Sequence, residues 1–407
     1  MEALIKKNKN IENMEETNTK KEFNFKNGIR KYGMLIALAV IMILFAVLTD
    51  GISLKPLNIT NLILQNSYIL ILAIGMLLVI ITGNIDLSVG SVAAFVGAIA
   101  GYMMITLNMN YIVAIIISLL VGALIGALQG AIIAYIKVPA FIVTLGGMLA
   151  FRGLTMVTLQ GRSLAPFPDG LRALSSNFMP DFFSGTSLHI TTIAIGLVFS
   201  AIYTVVEFKK RGAKIKYNLK VENINMFIAK LGMVVLMINL FTYTLAAYKG
   251  IPTILVVLSV LTLLYSYITK KTIFGRHIYA IGGNEKAAKL SGIKTKKVLL
   301  MVYVNMGILA AISGIAFAAR LNAATPKAGN GFELDAIAAC YIGGASASGG
   351  VGTIIGAIIG GLVMGVMNNG MSILGVGIDW QQAIKGVVLV LAVIFDIYTK
   401  SGNNETK

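Results

Sequence analysis

The chain has 407 residues, 57% of them hydrophobic and only 13% charged, against about a quarter charged in ordinary soluble domains, so a soluble globular protein is excluded. A net charge of +17 does not make it a nucleic-acid binder, because no basic stripe is interleaved with aromatics. Its one cysteine, Cys340, rules out an intrachain disulfide, and His189 and His277 stand alone without the spacing of metal ligands.

The first 32 residues are polar and lack the apolar core of a cleavable signal, and read as a cytoplasmic tail. Apolar stretches long enough to cross a ~30 Å hydrocarbon core then recur. They fall at about 33–49, 59–82, 86–106, 111–136, 138–159, 188–207, 227–248, 251–268, 298–319, 333–346, 350–373 and 380–398. The fold class is therefore an all-α polytopic membrane protein of about twelve segments, with a short tail over 399–407. Lysines and arginines concentrate at the N-terminus, between Lys209 and Lys220, and between Lys270 and Lys297. This bias puts 208–226, 269–297 and both termini on the cytoplasmic side. The segment 333–346 is short and rich in glycine and alanine: a full span, a broken helix, or a piece lodged within protein. The external loop 160–187 carries Pro166, Pro168 and Pro180, and reads as extended, with a short helix near 169–176.

Several polar features interrupt the apolar pattern. Gly83-Asn-Ile-Asp-Leu-Ser-Val-Gly-Ser91 separates two spans at the cytoplasmic face. There Asp86 or Ser88 caps a helix, or Asn84, Asp86 and Ser88 gate an inner mouth. Arg152 lies inside the fifth span and either faces a polar interior or snorkels outward. Glu333 and Asp335, at the start of 333–346, are placed to pair with it. Lys385 reads as snorkelling near the outside beside Trp380, an interfacial anchor. Amides at Gln65, Asn66, Asn305, Asn368 and Asn369 either line a path or hold helices together. Gly122, Gly126 and Gly130 echo Gly352, Gly356 and Gly360, as expected of oppositely oriented repeats. Between Gly275 and Ile293 a compact polar loop carries its own helix signals: Asn284 as cap, Glu285 at the positive end, Lys289 four residues on, and Gly292 as stop. A helix that short is unstable alone and needs a docking surface. No phosphate-cradling Gly-rich motif and no catalytic set occurs, and the acidic residues sit near helix starts and ends. The energy for transport is thus expected from outside the chain.

These residues together resemble the permease subunits of ABC importers for monosaccharides, within the branched-chain amino acid/ribose permease family. The likeness runs from about 33 to 398. It rests on Gly83–Gly90, on Val138-Pro-Ala-Phe-Ile-Val-Thr-Leu-Gly146 leading to Arg152-Gly153, on Thr272-Ile-Phe-Gly-Arg276 with Ala280–Asn284, and on Glu333–Ala339 with Gly343–Gly352. Asn84 departs from the pattern, where relatives often have glycine. The longer xylose and multiple-monosaccharide permeases are similar to this chain around 188–248, a helical pair that shorter relatives lack.

The resemblance implies a ten-span core with an inverted repeat plus this inserted pair, in a bacterial cytoplasmic membrane. It implies a second permease copy or paralogue, a cytoplasmic tandem-domain ABC ATPase that uses ATP and Mg, and an extracytoplasmic sugar-binding protein, with no cofactor on this chain. The coupling surface is expected at Gly275, Arg276, Asn284, Glu285, Ala287, Ala288, Leu290 and Gly292. Candidates for the translocation path are Asn66, Asn84, Asp86, Ser88, Thr144, Arg152, Glu333, Asp335, Asn368 and Asn369. The alternatives are an ion-coupled secondary sugar carrier and an amino-acid permease of the same superfamily.

Overall fold

The computed structural model describes residues 33–183 and 188–401. The tail expected over 1–32, most of that over 399–407, and 184–187 of the external loop lie outside the described residues. Secondary structure among the described residues is helical, with two isolated bridges, Leu164 to Ala324 and Phe178 to Pro252. The helices are α1 (Gly33–Leu48), α2 (Pro56–Ile81), α3 (Val89–Thr106, its last turn widened), α4 (Tyr111–Ile136), α5 (Ala140–Leu159), α6 (Asp169–Ser176), α7 (Ile190–Lys216) and α8 (Ile224–Ala246). They continue with α9 (Thr253–Lys271), α10 (Ile273–Gly283), α11 (Glu285–Leu290), α12 (Thr295–Leu321), α13 (Phe332–Ile342), α14 (Ile354–Ile373) and α15 (Ile378–Ser401). Nine of them are long and apolar enough to cross a membrane.

Helix α2 forms the axis. Pro56 opens it at a position that needs no backbone donor, and from Tyr68 an unbroken apolar run carries it to Ile81. Over that run it is hydrophobic on every side and buried, as a helix surrounded by others must be. Helix α12 runs antiparallel beside it: the Ser313 hydroxyl donates to the Tyr68 carbonyl at 2.9 Å, and Gly75 lies against Met306.

The two repeats are built around this pair. Helix α4 crosses α12 so closely that a methyl group on Gly126 would sit 2.2 Å from the Tyr303 carbonyl oxygen. Its counterpart α14 crosses α2 with Gly365 against Asn66 and Gly361 against Leu70. Helix α3 runs along α12, with Ala93 and Gly97 against Gly314, while α13 runs along α2 from Tyr68 to Ala73. Helices α5 and α15 cover α3 and α13 in turn. The glycine echo is real but misaligned. Gly352 precedes α14, and Gly356 and Gly360 pack against Gly343 and Ala339 of α13. The stripe that matches α4 on α12 is Gly361 and Gly365, on another face of the helix.

Three expectations change. Helix α13 has 11 residues, about 16 Å of rise, so 333–346 is no span but a segment packed within protein. Helix α7 continues some ten residues beyond its apolar run, to Lys216, since no glycine or proline pair stops it and basic residues suit its last turn. The loop after α9 holds a second helix, α10, capped by the Thr272 hydroxyl, which accepts from the Gly275 amide at 3.1 Å.

Outside the bundle, Asp181 pins the entrance of α7. It accepts hydrogen bonds from the Thr191 hydroxyl and from the amides of Phe183, Ile190 and Thr191. The Thr191 hydroxyl first, then these amides, hold its carboxyl down at about 2 against an ordinary 3.8. A depressed carboxylate stabilises the folded loop above its unfolded value, and that contribution fades as pH falls from near 4 toward 2. Limited pepsin digestion should therefore cut between Asp181 and Thr191 increasingly over that window. Relative to an unfolded peptide of the same sequence, which cancels pepsin's own pH dependence, Asp181→Asn should show no such increase.

Candidate functional site

Two regions concentrate the unusual geometry. The first is the foot made by α10 and α11. The Asn284 side chain accepts from the Ala287 amide at 2.9 Å, Glu285 opens the helix, and Gly292 closes it with φ +84°. This is the capping read from the sequence. Leu290 is 90% exposed, a large apolar side chain held outward, and Ala287, Arg276 and Glu285 are exposed with it. Two expected partner-facing residues face inward instead. Ala288 is 5% exposed and packed into the core. Gly275 is buried where a methyl group would sit 2.3 Å from the Ile268 carbonyl oxygen, so its role is to let α10 turn against α9.

The foot is joined to the bundle by a knot of backbone. A methyl group on Gly282 would lie 1.7 Å from the carbonyl oxygen of Ile81, the last residue of α2, and 2.6 Å from the Gly350 amide. That same Ile81 oxygen accepts from Gly350 N–H at 2.9 Å. The Tyr279 hydroxyl donates to the Gly352 carbonyl at 2.7 Å, just before α14. Foot, α2 and the approach to α14 thus touch at one point. The paired glycines at 282–283 and 349–350 were its sequence signal, though nothing in the sequence joined them.

The second region lies deep in the bundle, where α3 and α13 begin. After Ile81 the chain turns back as non-helical backbone, and α3 starts with Ser88 packed against Gly147, midway along α5. Helix α13 starts with Phe332 against Tyr68, midway along α2, their ring centroids 4.4 Å apart. The two starts meet: a methyl group on Gly90 would be 2.3 Å from both the Gly329 carbonyl oxygen and Glu333 Oε2. Irregular backbone at this depth survives because protein surrounds it.

Polar side chains collect around this junction. Asp86 Oδ1 accepts from the Ser88 amide at 2.8 Å and its hydroxyl at 2.7 Å; Ser88 holds the N-cap position of α3, and no side chain bonds the amides of its first turn. The Gln129 amide donates to Ser88 Oγ at 3.0 Å. Gln129 escaped sequence reasoning because a single amide in α4 carries no pattern. Asn84 folds back on Thr82, and Thr144 reaches only local carbonyls and that of Ile85. Arg152 donates to the Ala328 carbonyl at 3.2 Å and so turns inward rather than outward. It forms no ion pair with Glu333 or Asp335 among the described residues. Lys385 takes Asp335 instead, at 3.1 Å, and is not a free snorkelling residue. Glu333 is 8% exposed and its Oε2 has no hydrogen-bond partner.

The remaining amides lie apart from this cluster. Asn369 exchanges hydrogen bonds with Asn58, Asn66 turns back to the Leu62 carbonyl, and Asn305 accepts from Tyr265; these join or shape helices. Asn368 is on the same helix as Asn369 with its Oδ1 buried and unpartnered. The crevice lined by Asp86, Ser88, Ile125, Gln129 and Met306 leaves no room for a water molecule.

A multi-pass bundle with internal inverted repeats, two helix starts meeting inside it and a capped foot outside it is the build of a membrane transport subunit. The chain belongs to the family described as branched-chain amino acid transport system / permease component, whose model matches residues 58–393. It is 41% identical over 372 residues to the xylose transport system permease protein XylH of Haemophilus influenzae, covering 91% of this chain and 97% of that one. It is 37% identical to the Escherichia coli K12 xylose transport system permease protein, over 91% and 93% of the two chains. To the ribose import permease protein RbsC of Bacillus subtilis it is 36% identical, over 92% and 95%. No solved structure matches the chain.

Proposed function

We propose that this chain is the transmembrane subunit of an ATP-driven importer for monosaccharides, with pentoses of the xylose or ribose kind as the favoured cargo. A cytoplasmic ABC ATPase binds and hydrolyses ATP with Mg, and the chain holds neither. An extracytoplasmic sugar-binding protein delivers the cargo to the side opposite the foot, and both termini lie on the foot's side. The crevice beside Asp86 and Gln129 is too tight even for water, so the sugar passes between this chain and a second copy or paralogue. Selectivity resides in the binding protein, so the path needs no tight site.

The observation that carries this reading is Leu290. A leucine 90% exposed on a rigid, capped helix outside the apolar bundle has no use in water and fits a groove on a soluble partner. Leu290→Asp should leave membrane insertion and elution volume unchanged and lower retention of the ATPase by about a hundredfold, as loss of a central apolar anchor does. Undiminished co-purification of the ATPase with this variant would refute the assignment.

A secondary carrier remains the competing reading for a specific reason. Position near helix starts counted against coupling carboxylates, yet those starts lie deep in the bundle, where Asp86, Glu333 and Asp335 are buried. Vesicles containing this chain alone separate the two. Uptake that follows a proton or sodium gradient without any ATPase would favour the carrier.

A further inference from the structure

Helices α7 and α8 form a hairpin that leans on the bundle only near one end. There Leu245 packs with Ile63 and Ile251, with Ile195 and Met179 beside them. Elsewhere the pair is mostly exposed, and α8 is the least buried of the nine long apolar helices. Its free end, residues 207–223, lies on the same side as the foot, since α8 and α9 run in opposite directions between them.

That end is strongly basic and only partly neutralised. It carries six basic residues and two acidic ones. Lys210 pairs with Glu207 at 2.6 Å, and Glu222 faces Lys230 at 3.6 Å. Arg211 is spent on the Glu222 carbonyl and the Phe227 ring, 4.9 Å away. Lys209, Lys214, Lys216 and Lys220 are exposed and form no ion pair among the described residues. Interleaved with them stand Ile215, Tyr217 and Leu219, each more than half exposed.

Unpaired lysines alone would satisfy the orientation bias already noted. The interleaved apolar side chains ask for more. Facing water they would be a cost, and an acidic protein groove would suit the lysines but not them. The boundary between hydrocarbon and headgroups satisfies both, with apolar side chains below and ammonium groups at the phosphates. The helix reaches that boundary: 27 residues of α7 rise about 40 Å, some 10 Å beyond a hydrocarbon core.

We propose that the α7–α8 turn is a binding surface for anionic phospholipid headgroups in the leaflet on the foot's side. The lipid phosphates take Lys209, Lys214, Lys216 and Lys220, and Ile215, Tyr217 and Leu219 seat the turn at that depth. The hairpin, held to the bundle at only one end, is thereby anchored at the other.

The test uses the full-length chain purified in mild detergent, with added dioleoylphosphatidylglycerol, dioleoylphosphatidylcholine or inorganic phosphate. Phosphatidylglycerol should bind preferentially by native mass spectrometry and raise the unfolding midpoint, and the other two should not. Each juxtamembrane lysine adds roughly fivefold in affinity for an anionic surface. The variant K209Q/K214Q/K216Q/K220Q should accordingly lose about a hundredfold or more, with its elution volume unchanged. Equal retention of both lipids by the native chain, undiminished phosphatidylglycerol binding by the variant, or an equal effect of inorganic phosphate would overturn the proposal. So would a variant that keeps its lipid preference but no longer retains the ATPase, which would give this surface to a protein.

Discussion

Gly282→Val should abolish sugar uptake while the chain still inserts in the membrane. The side chain would begin 1.7 Å from the Ile81 carbonyl oxygen and 2.6 Å from the Gly350 amide, and both neighbours are backbone. A flexible side chain swings away from such an intrusion, but the end of a buried axial helix does not. Overpacking of this kind costs about 1–3 kcal/mol where neighbours can move, and more where they cannot. The foot must therefore tilt away from α2, and its displacement no longer reaches the bundle. In vesicles carrying the whole importer we expect uptake to fall at least about fiftyfold, with ATP hydrolysis continuing. Tyr279→Phe, which removes only the hydrogen bond to Gly352, should lower sugar moved per ATP by a few-fold without affecting assembly. Normal uptake by Gly282→Val would show that the knot transmits nothing.

Lys385→Met should destabilise the chain by about 3 kcal/mol, because it leaves the Asp335 carboxylate buried without its partner. The Asp335 side chain is 10% exposed and that of Lys385 25%, so water relieves little of the cost at the acidic end. Removing both charges together costs far less, as replacing a buried pair by neutral groups often does. The double variant D335N/K385M should therefore recover most of the stability lost by the single one. Thermal unfolding of the four proteins in detergent gives the coupling directly. If the two single losses merely add in the double variant, the pair does not hold α15 to α13.

The long helices were legible because each needs only length and hydrophobicity, and those are local. The foot was legible too, since Asn284, Glu285 and Gly292 write a cap, a first turn and a stop within nine residues. Its facing was not: Ala287 and Ala288 are the same residue type side by side, and only packing against the core decides which is buried. The central junction failed for a related reason. Asp86 and Glu333 both stand at helix starts, as the sequence indicates, but sequence pattern alone places a helix start at the membrane surface. The depth of a start depends on the backbone that leads to it, and 82–88 and 322–331 are non-helical stretches whose course only tertiary contacts fix. Lys385 looked like a residue reaching for the surface because its partner is 50 positions away in sequence.

Cross-linking from position 290 tests the central claim most directly. Cys340 is the only native cysteine and is buried, so Leu290→Cys supplies a single accessible thiol. In membranes that also contain a cytoplasmic ABC ATPase retained by the native chain, a short thiol-reactive photo-crosslinker at 290 should capture that ATPase. Capture should be strong without nucleotide and should change when ATP and Mg are added. A thiol at 290 that labels freely in water but never captures a nucleotide-hydrolysing protein would contradict it.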